Sequence, residues 1–194
     1  MKLLREFQKE LNRISVIAIK KPYYRSIGVE RLNNPIEALQ SKLNGGRYNF
    51  IGSFEALYLA PNPFTAIKES LKEFKENSKV FDFKFPPKVT ITVEVEVEHI
   101  IDLQDGRVIR ALGIEEHKLI KPWRYTQDVL GKEAYTQILG RLIYESAKFD
   151  GIRYPSAKVS KEYNLVIFPD RLKEISQISV YDPNQILKKI ILRG

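Results

Sequence analysis

The 194-residue sequence contains no cysteine. Disulfides and thiolate chemistry are therefore excluded, which fits a reducing compartment, and the expected location is the cytoplasm. No apolar run approaches the ~20 residues that cross a bilayer. The opening MKLLREFQKELNR is charged throughout and lacks the apolar centre of a signal peptide. Histidine is scarce: His99 and His117 stand in unrelated contexts without ligand spacing, so no metal and no resident cofactor are expected. Also missing are a Walker-type phosphate loop, a G-x-G-x-x-G turn and a G-x-S-x-G elbow, and with them the chemistries those motifs carry.

What is present is positive charge. Lys and Arg number 32 against 24 Asp and Glu, a formal net charge of +8. That balance favours an anionic partner, whether nucleic acid, a phosphorylated small molecule, an acidic protein or an anionic surface. The basic residues are scattered, with no block of the kind that marks a nucleic-acid arm. Neither direct nucleic-acid binding nor membrane binding is expected. With 43% hydrophobic residues, the chain can bury the core of one domain.

Periodicity and punctuation outline the elements. Leu3, Leu4, Phe7, Leu11 and Ile14 recur at helical spacing over residues 2–14. VIAIKKPYYRS reads as a strand or extended segment bounded by Pro22. Asn34 and Pro35 form a helix start, with Gly45 as its stop. EALYLA reads as a strand. NPFTAIKESLKEFKEN repeats the Asn-Pro start at Asn62 and Pro63, with Phe64, Ile67, Leu71 and Phe74 as its apolar stripe. KVTITVEVEVEHIIDL alternates strictly from Val89 to Val97, the pattern of a strand with one wet face. On that face Glu94, Glu96 and Glu98 read as solvated charge that discourages edge pairing. Residues 105–133 read as short helices and loops. AYTQILGRLIYESAKFDG is helical up to Gly151, GIRYPSA and NLVIFPD are strands, and the second is buried on both faces. EISQISVY is a further strand, and NQILKKIIL a closing helix with Lys188 and Lys189 toward solvent. Helices and strands do not alternate regularly, so the fold class expected is α+β with mainly antiparallel sheet.

A few residues carry two readings each. Arg47 follows Gly45 and Gly46: it is either a surface arginine after a helix stop, or a guanidinium presented by a sharp turn to a phosphate. Arg25, at the end of PYYR, is open to the same choice. Glu69 lies off its helix's apolar stripe, beside Ala66 and Glu73. The like-charge pairs Lys68/Lys72 and Glu69/Glu73 disfavour the helix, which argues against a face arranged for solubility alone. Tyr58 is a sheet tyrosine or a ring for a planar ligand to stack on. Ser156, just after Pro155, is a turn serine or a cleft hydroxyl.

Taken in order, the segments YYR (Tyr23–Arg25), GGRYN (Gly45–Asn49), ALYLA (Ala56–Ala60), TAIKE (Thr65–Glu69), TQILGRLIYESAKFDGIRYPSA (Thr136–Ala157) and NLVIF (Asn164–Phe168) resemble the RES domain family. The resemblance covers Ile19 to Arg171, giving a RES domain over residues 19–171. Residues 1–18 form an N-terminal helical extension, and residues 172–194 a strand-and-helix extension packed on the same domain. It implies a fold similar to that of ADP-ribosyltransferase toxins: α+β, with mainly antiparallel sheets flanked by helices. It also implies the toxin of a toxin–antitoxin pair that consumes NAD⁺ as substrate by hydrolysis or phosphorolysis, with an Xre-type antitoxin as partner. By motif, Arg25 and Arg47 would grip anions, Tyr58 would face the ligand, Glu69 would be the catalytic carboxylate, assisted by Arg47, and Ser156 a pocket hydroxyl. Tyr48 stands where the family usually has tryptophan and keeps an aromatic ring for the nicotinamide. The alternatives are a protein ADP-ribosyltransferase on the same fold and a non-catalytic basic binding module.

Overall fold

The computed structural model of the chain describes residues 4–71, 87–184 and 191–194. Helix α1 (Leu4–Arg13) follows the N-terminal periodicity and buries Phe7 and Leu11. Strand β1 (Ile17–Gly28) runs straight through Pro22 and pairs antiparallel with β3 (Lys88–Asp102) along nearly its whole length. Pro22 is tolerated because β1 has only this one neighbour there among the described residues. In β3 the alternation appears as expected: Ile91, Val93, Val95 and Val97 are buried, and Glu94, Glu96 and Glu98 are exposed.

The sheet continues on the other edge of β3. There β4 (Gly151–Pro155) runs parallel to it, and β5 (Tyr163–Ile167) and β2 (Leu57–Leu59) follow antiparallel. Tyr24 of β1 and Ala60, just past β2, exchange both backbone hydrogen bonds at 2.8 Å. The two outer strands thereby meet, and the sheet curls into a ring of five strands. β6 (Gln177–Val180) branches from the middle of β3 and carries β7 (Ile191–Arg193). The expected closing helix falls largely on residues 185–190, with Lys188 and Lys189, outside the described residues, while Ile191 and Leu192 are in β7.

Two apolar clusters occupy the two faces of the sheet. Tyr23, Ile27, Leu57, Leu59, Val93, Leu165 and Ile167 belong to one. Ile152, Val166 and Phe168 join α1, α4 (Gly106–Leu112) and α6 (Tyr135–Glu145) in the other. β5 contributes to both, as its uninterrupted apolar run predicts. Between residues 105 and 133 the chain forms α4, a short 3₁₀ turn and α5 (Arg124–Asp128). α6 ends at Glu145, six residues before Gly151, because Phe149 and Asp150 turn inward and are fully buried.

Two helices depart from the expectation. The Asn34–Pro35 start does not open one: α2 spans only Leu39–Asn44 and ends at Gly45, at φ +70°. A helix from Pro35 would use the carbonyls of Pro35 and Glu37 internally. Both instead accept from Nη1 of Arg25, at 2.9 and 2.8 Å. The second departure is α3 (Pro63–Ser70). It starts where expected, with Asn62 Oδ1 accepting from the amide of Thr65 at 2.8 Å. Its apolar stripe, however, is on the outside, with Phe64 60% exposed and Ile67 and Leu71 exposed too. Thr65 and Ala66 are buried in their place, because the small Ala66 lets α3 lie close against β1. Phe74 and Glu73 lie outside the described residues.

Candidate active site

Because the cap at Asn62 fixes the start of α3, residue 69 lies one turn beyond Thr65 and Ala66 on the same face. Glu69 therefore points into the protein. Its Oε1 accepts from Ser156 Oγ and from Asn164 Nδ2, both at 2.6 Å. Ser156 Oγ also accepts from the amides of Lys158 and Val159, at 3.1 and 3.0 Å, so its one proton is directed to Glu69. Asn164 stands at the start of β5 opposite Tyr154 of β4. Among the described residues Oε2 of Glu69 accepts no hydrogen bond.

Beside Glu69 a cleft opens between β1, the end of β2, α3 and the β4–β5 pair. It is lined by Tyr24, Arg25, Tyr58, Glu69, Tyr154 and Asn164, among others, and has about 460 Å³ of empty space including its mouth. Register explains the lining. Tyr58 pairs with Val166 and Tyr154 with Asn164, so the two tyrosines and Asn164 share the face of the sheet that α3 overhangs.

The GGRYN loop stands behind Tyr58 and is held rigidly. The Tyr58 hydroxyl donates to Asn49 Oδ1 at 2.8 Å and accepts from the Tyr48 amide at 2.9 Å. Gln137 of α6 donates to the carbonyls of Gly46 and Asn49 and to Gln127 Oε1. Gly46 has to be glycine here, since a Cβ would come within 2.4 Å of the Tyr58 hydroxyl and 2.6 Å of Asn49 Oδ1. Nη1 of Arg47 donates to the carbonyls of Leu119 and Lys121, at 3.0 and 2.9 Å.

Electrostatics connect the two halves. Burial pushes the Tyr154 phenol well above its usual range; the Glu69 charge adds to this and Arg47 opposes it. Burial also raises Tyr58, again against the Arg47 charge. Both hydroxyls stay protonated. The Arg25 guanidinium is lowered to about 10 by burial first and the Arg31 charge second, with Glu37 opposing, so it is charged at neutral pH.

The structure thus brings Arg25, Tyr58 and Glu69 to one cleft, with Ser156 one hydrogen bond behind Glu69. Arg47 is outside the lining, although its charge reaches Tyr58 and Tyr154. The reading of Tyr48 as a ring offered to a ligand is corrected: it is 0% exposed and packs against Tyr154 at 4.6 Å, and its hydroxyl is buried without a partner among the described residues. Its amide and carbonyl hold the loop, while its ring fills the core. Sequence reasoning missed Tyr154 and Asn164. An asparagine heading a strand buried on both faces was the available signal, since a buried amide needs partners.

Comparison with known proteins follows the same lines. The RES domain family model matches residues 21–188. No curated protein matches the sequence. Among solved structures, the chain is similar to the MbcT toxin in the crystal structure of the M. tuberculosis MbcT–MbcA toxin–antitoxin complex. The TM-score is 0.63 at 17% identity, over 93% of this chain and 92% of that one. At that identity the likeness concerns the fold, and the expected α+β architecture, with mainly antiparallel sheet flanked by helices, is borne out.

Proposed function

Because this chain belongs to the RES domain family, we propose that it is the toxin of a toxin–antitoxin pair and that it degrades NAD⁺ by cleaving the nicotinamide–ribose bond. One observation carries the chemistry: a carboxylate, Glu69, is anchored through Oε1 by Ser156 and Asn164 at the wall of a cleft that also holds Arg25 and Tyr58.

Nicotinamide leaves NAD⁺ as a neutral base from a cationic ring, so no general acid is required. As the bond breaks, positive charge moves onto the ribose, as in glycoside hydrolysis. A carboxylate already fixed by two donors stabilises that charge without reorganising. Electrostatic groups of this type are worth roughly 3–4 kcal/mol, or two to three decades of rate. On this reading Arg25, whose Nη1 is held by the carbonyls of Pro35 and Glu37, lends positive charge to the end of the cleft that takes the pyrophosphate, so that binding of the remote part holds the scissile bond in place. Arg47 adds positive potential behind the same wall. Tyr58 and Tyr154, rather than Tyr58 and Tyr48, supply the aromatic surface.

The partner follows from the same premise. The similar toxin was solved in complex with its antitoxin, and here the partner proposed is an antitoxin of the Xre type encoded alongside. The test is incubation of the purified protein with NAD⁺, with and without inorganic phosphate, and chromatographic identification of the products. Nicotinamide with ADP-ribose identifies water as acceptor, and nicotinamide with a phosphorylated ADP-ribose identifies phosphate. Recovery of intact NAD⁺ overturns the reading.

A further inference from the structure

We propose that Asn164 reads the sugar of the substrate: with Glu69 it forms a pair of acceptors for the two neighbouring hydroxyls of a ribose. Asn164 is only 2% exposed, yet it lines the cleft. Its Nδ2 donates to Glu69 Oε1 at 2.6 Å. A carboxylate has no proton to give, so this contact fixes the amide with its nitrogen toward Glu69 and its oxygen turned away. That oxygen, Oδ1, is buried without a hydrogen-bond partner among the described residues. Buried amide oxygens are rarely left so, and each exception calls for a physical reason.

Glu69 poses the matching question. Ser156 and Asn164 both engage Oε1, which leaves Oε2 without a donor among the described residues. The wall therefore holds two acceptors without donors among the described residues, Oδ1 of Asn164 and Oε2 of Glu69, on side chains joined by the Nδ2–Oε1 contact. A phosphate, which brings only acceptors, is disfavoured at this spot and favoured near Arg25. A vicinal diol brings two donors side by side and satisfies both atoms at once. The inference rests on the NAD⁺ reading, which supplies the ribose whose hydroxyls lie next to the bond being broken. Asn164 then acts twice, orienting the carboxylate through Nδ2 and recognising the substrate through Oδ1.

The test pairs changes in residue and substrate. NAD⁺ and its analogues lacking the 2′- or the 3′-hydroxyl of the nicotinamide ribose are compared in wild type and Asn164→Ala, by nicotinamide release (kcat and KM) and by calorimetric affinity. In wild type, loss of one of these hydroxyls is expected to lower kcat/KM at least tenfold. In Asn164→Ala that ratio should fall close to one, because the partner of the missing hydroxyl is already gone. A purely structural Asn164 lowers all substrates alike and leaves the ratio unchanged, and that result overturns the proposal while NAD⁺ cleavage stands. Should Asn164→Ala fail to fold, Asn164→Leu keeps the volume and is read the same way. If wild type binds NAD⁺ without cleaving it, the affinities alone decide by the same ratio. If it does not bind NAD⁺, the functional reading and the sugar assignment fall together.

Discussion

Ser156 Oγ donates to Glu69 Oε1 across 2.6 Å, joining residues 87 apart in the chain. The hydroxyl is buried and fully used: it accepts two amides of the following turn and gives its only proton to the carboxylate. The role implied for Ser156, a pocket hydroxyl, becomes in the structure that of a support for Glu69. The β4–β5 turn and the last turn of α3 are tied together through this one oxygen.

Ser156→Ala is accordingly expected to act on turnover more than on substrate binding. Removing the donor leaves Glu69 with Asn164 alone, and kcat should fall about tenfold while KM changes little. Stability should drop by about 1–3 kcal/mol, since two amides lose their acceptor. Steady-state nicotinamide release and a denaturant melt check both. A raised KM at unchanged kcat would instead place the hydroxyl on the ligand.

Tyr48 gives a prediction of opposite sign. Its hydroxyl is buried without a partner among the described residues, so Tyr48→Phe should raise stability at neutral pH by about 1 kcal/mol. Burial also holds the phenols of Tyr48, Tyr58 and Tyr154 above their usual range. Their folded-state pKa values are raised, so the stability they contribute is fully present below the unfolded value of about 10. Above it, the unfolded chain releases protons that the native state retains, and stability falls. Each such tyrosine contributes a slope of up to about 1.4 kcal/mol per pH unit, and Tyr23 and Tyr144, also raised by burial, act in the same direction. Urea midpoints taken between pH 9 and 11.5 should show this decline, with a shallower slope in Tyr48→Phe.

Gly140 tests the packing of α6 on the GGRYN loop. A Cβ there would be 1.9 Å from the carbonyl oxygen of Tyr48, a backbone atom with no rotamer to yield. Gly140→Ala should destabilise by about 1–3 kcal/mol, despite alanine's better helix propensity. A lower urea midpoint at unchanged m-value is the expected result.

The inverted face of α3 is equally open to measurement. Phe64→Ser and Ile67→Ser, on the exposed side, should each change stability by no more than about 0.5 kcal/mol. Ala66→Leu, against β1, should destabilise by about 1–3 kcal/mol. The reverse ranking would mean that the apolar stripe is the buried one.

These contrasts show what the sequence made legible. The alternation of β3, the doubly buried run of β5 and the cap at Asn62 follow from local chemistry, and each appears where the pattern puts it. Arg25, Tyr58 and Glu69 became candidates together, through the ordered segments that resemble the RES family, since Arg25 and Tyr58 taken singly were equally open to a structural reading. The orientation of α3 was not legible, because periodicity defines a stripe but not which side meets the protein. There a small residue, Ala66, outweighed three larger ones by allowing close approach. The missing first turns of α2 depended on Arg25, whose guanidinium takes the carbonyls that a helix needs. Local propensity cannot anticipate a competitor ten residues away in the chain, on the preceding strand. The support of Glu69 by Asn164 joins residues 95 apart, and no local pattern encodes it.

The central claim is that Glu69 stabilises the charge developing on the ribose, and Glu69→Gln tests it most directly. Glutamine keeps the size and an oxygen for Ser156 and removes the charge. Nicotinamide release from NAD⁺ should fall at least tenfold, with the melting temperature and NAD⁺ affinity close to those of wild type. Equal rates of nicotinamide release from the variant and the wild type would contradict the account.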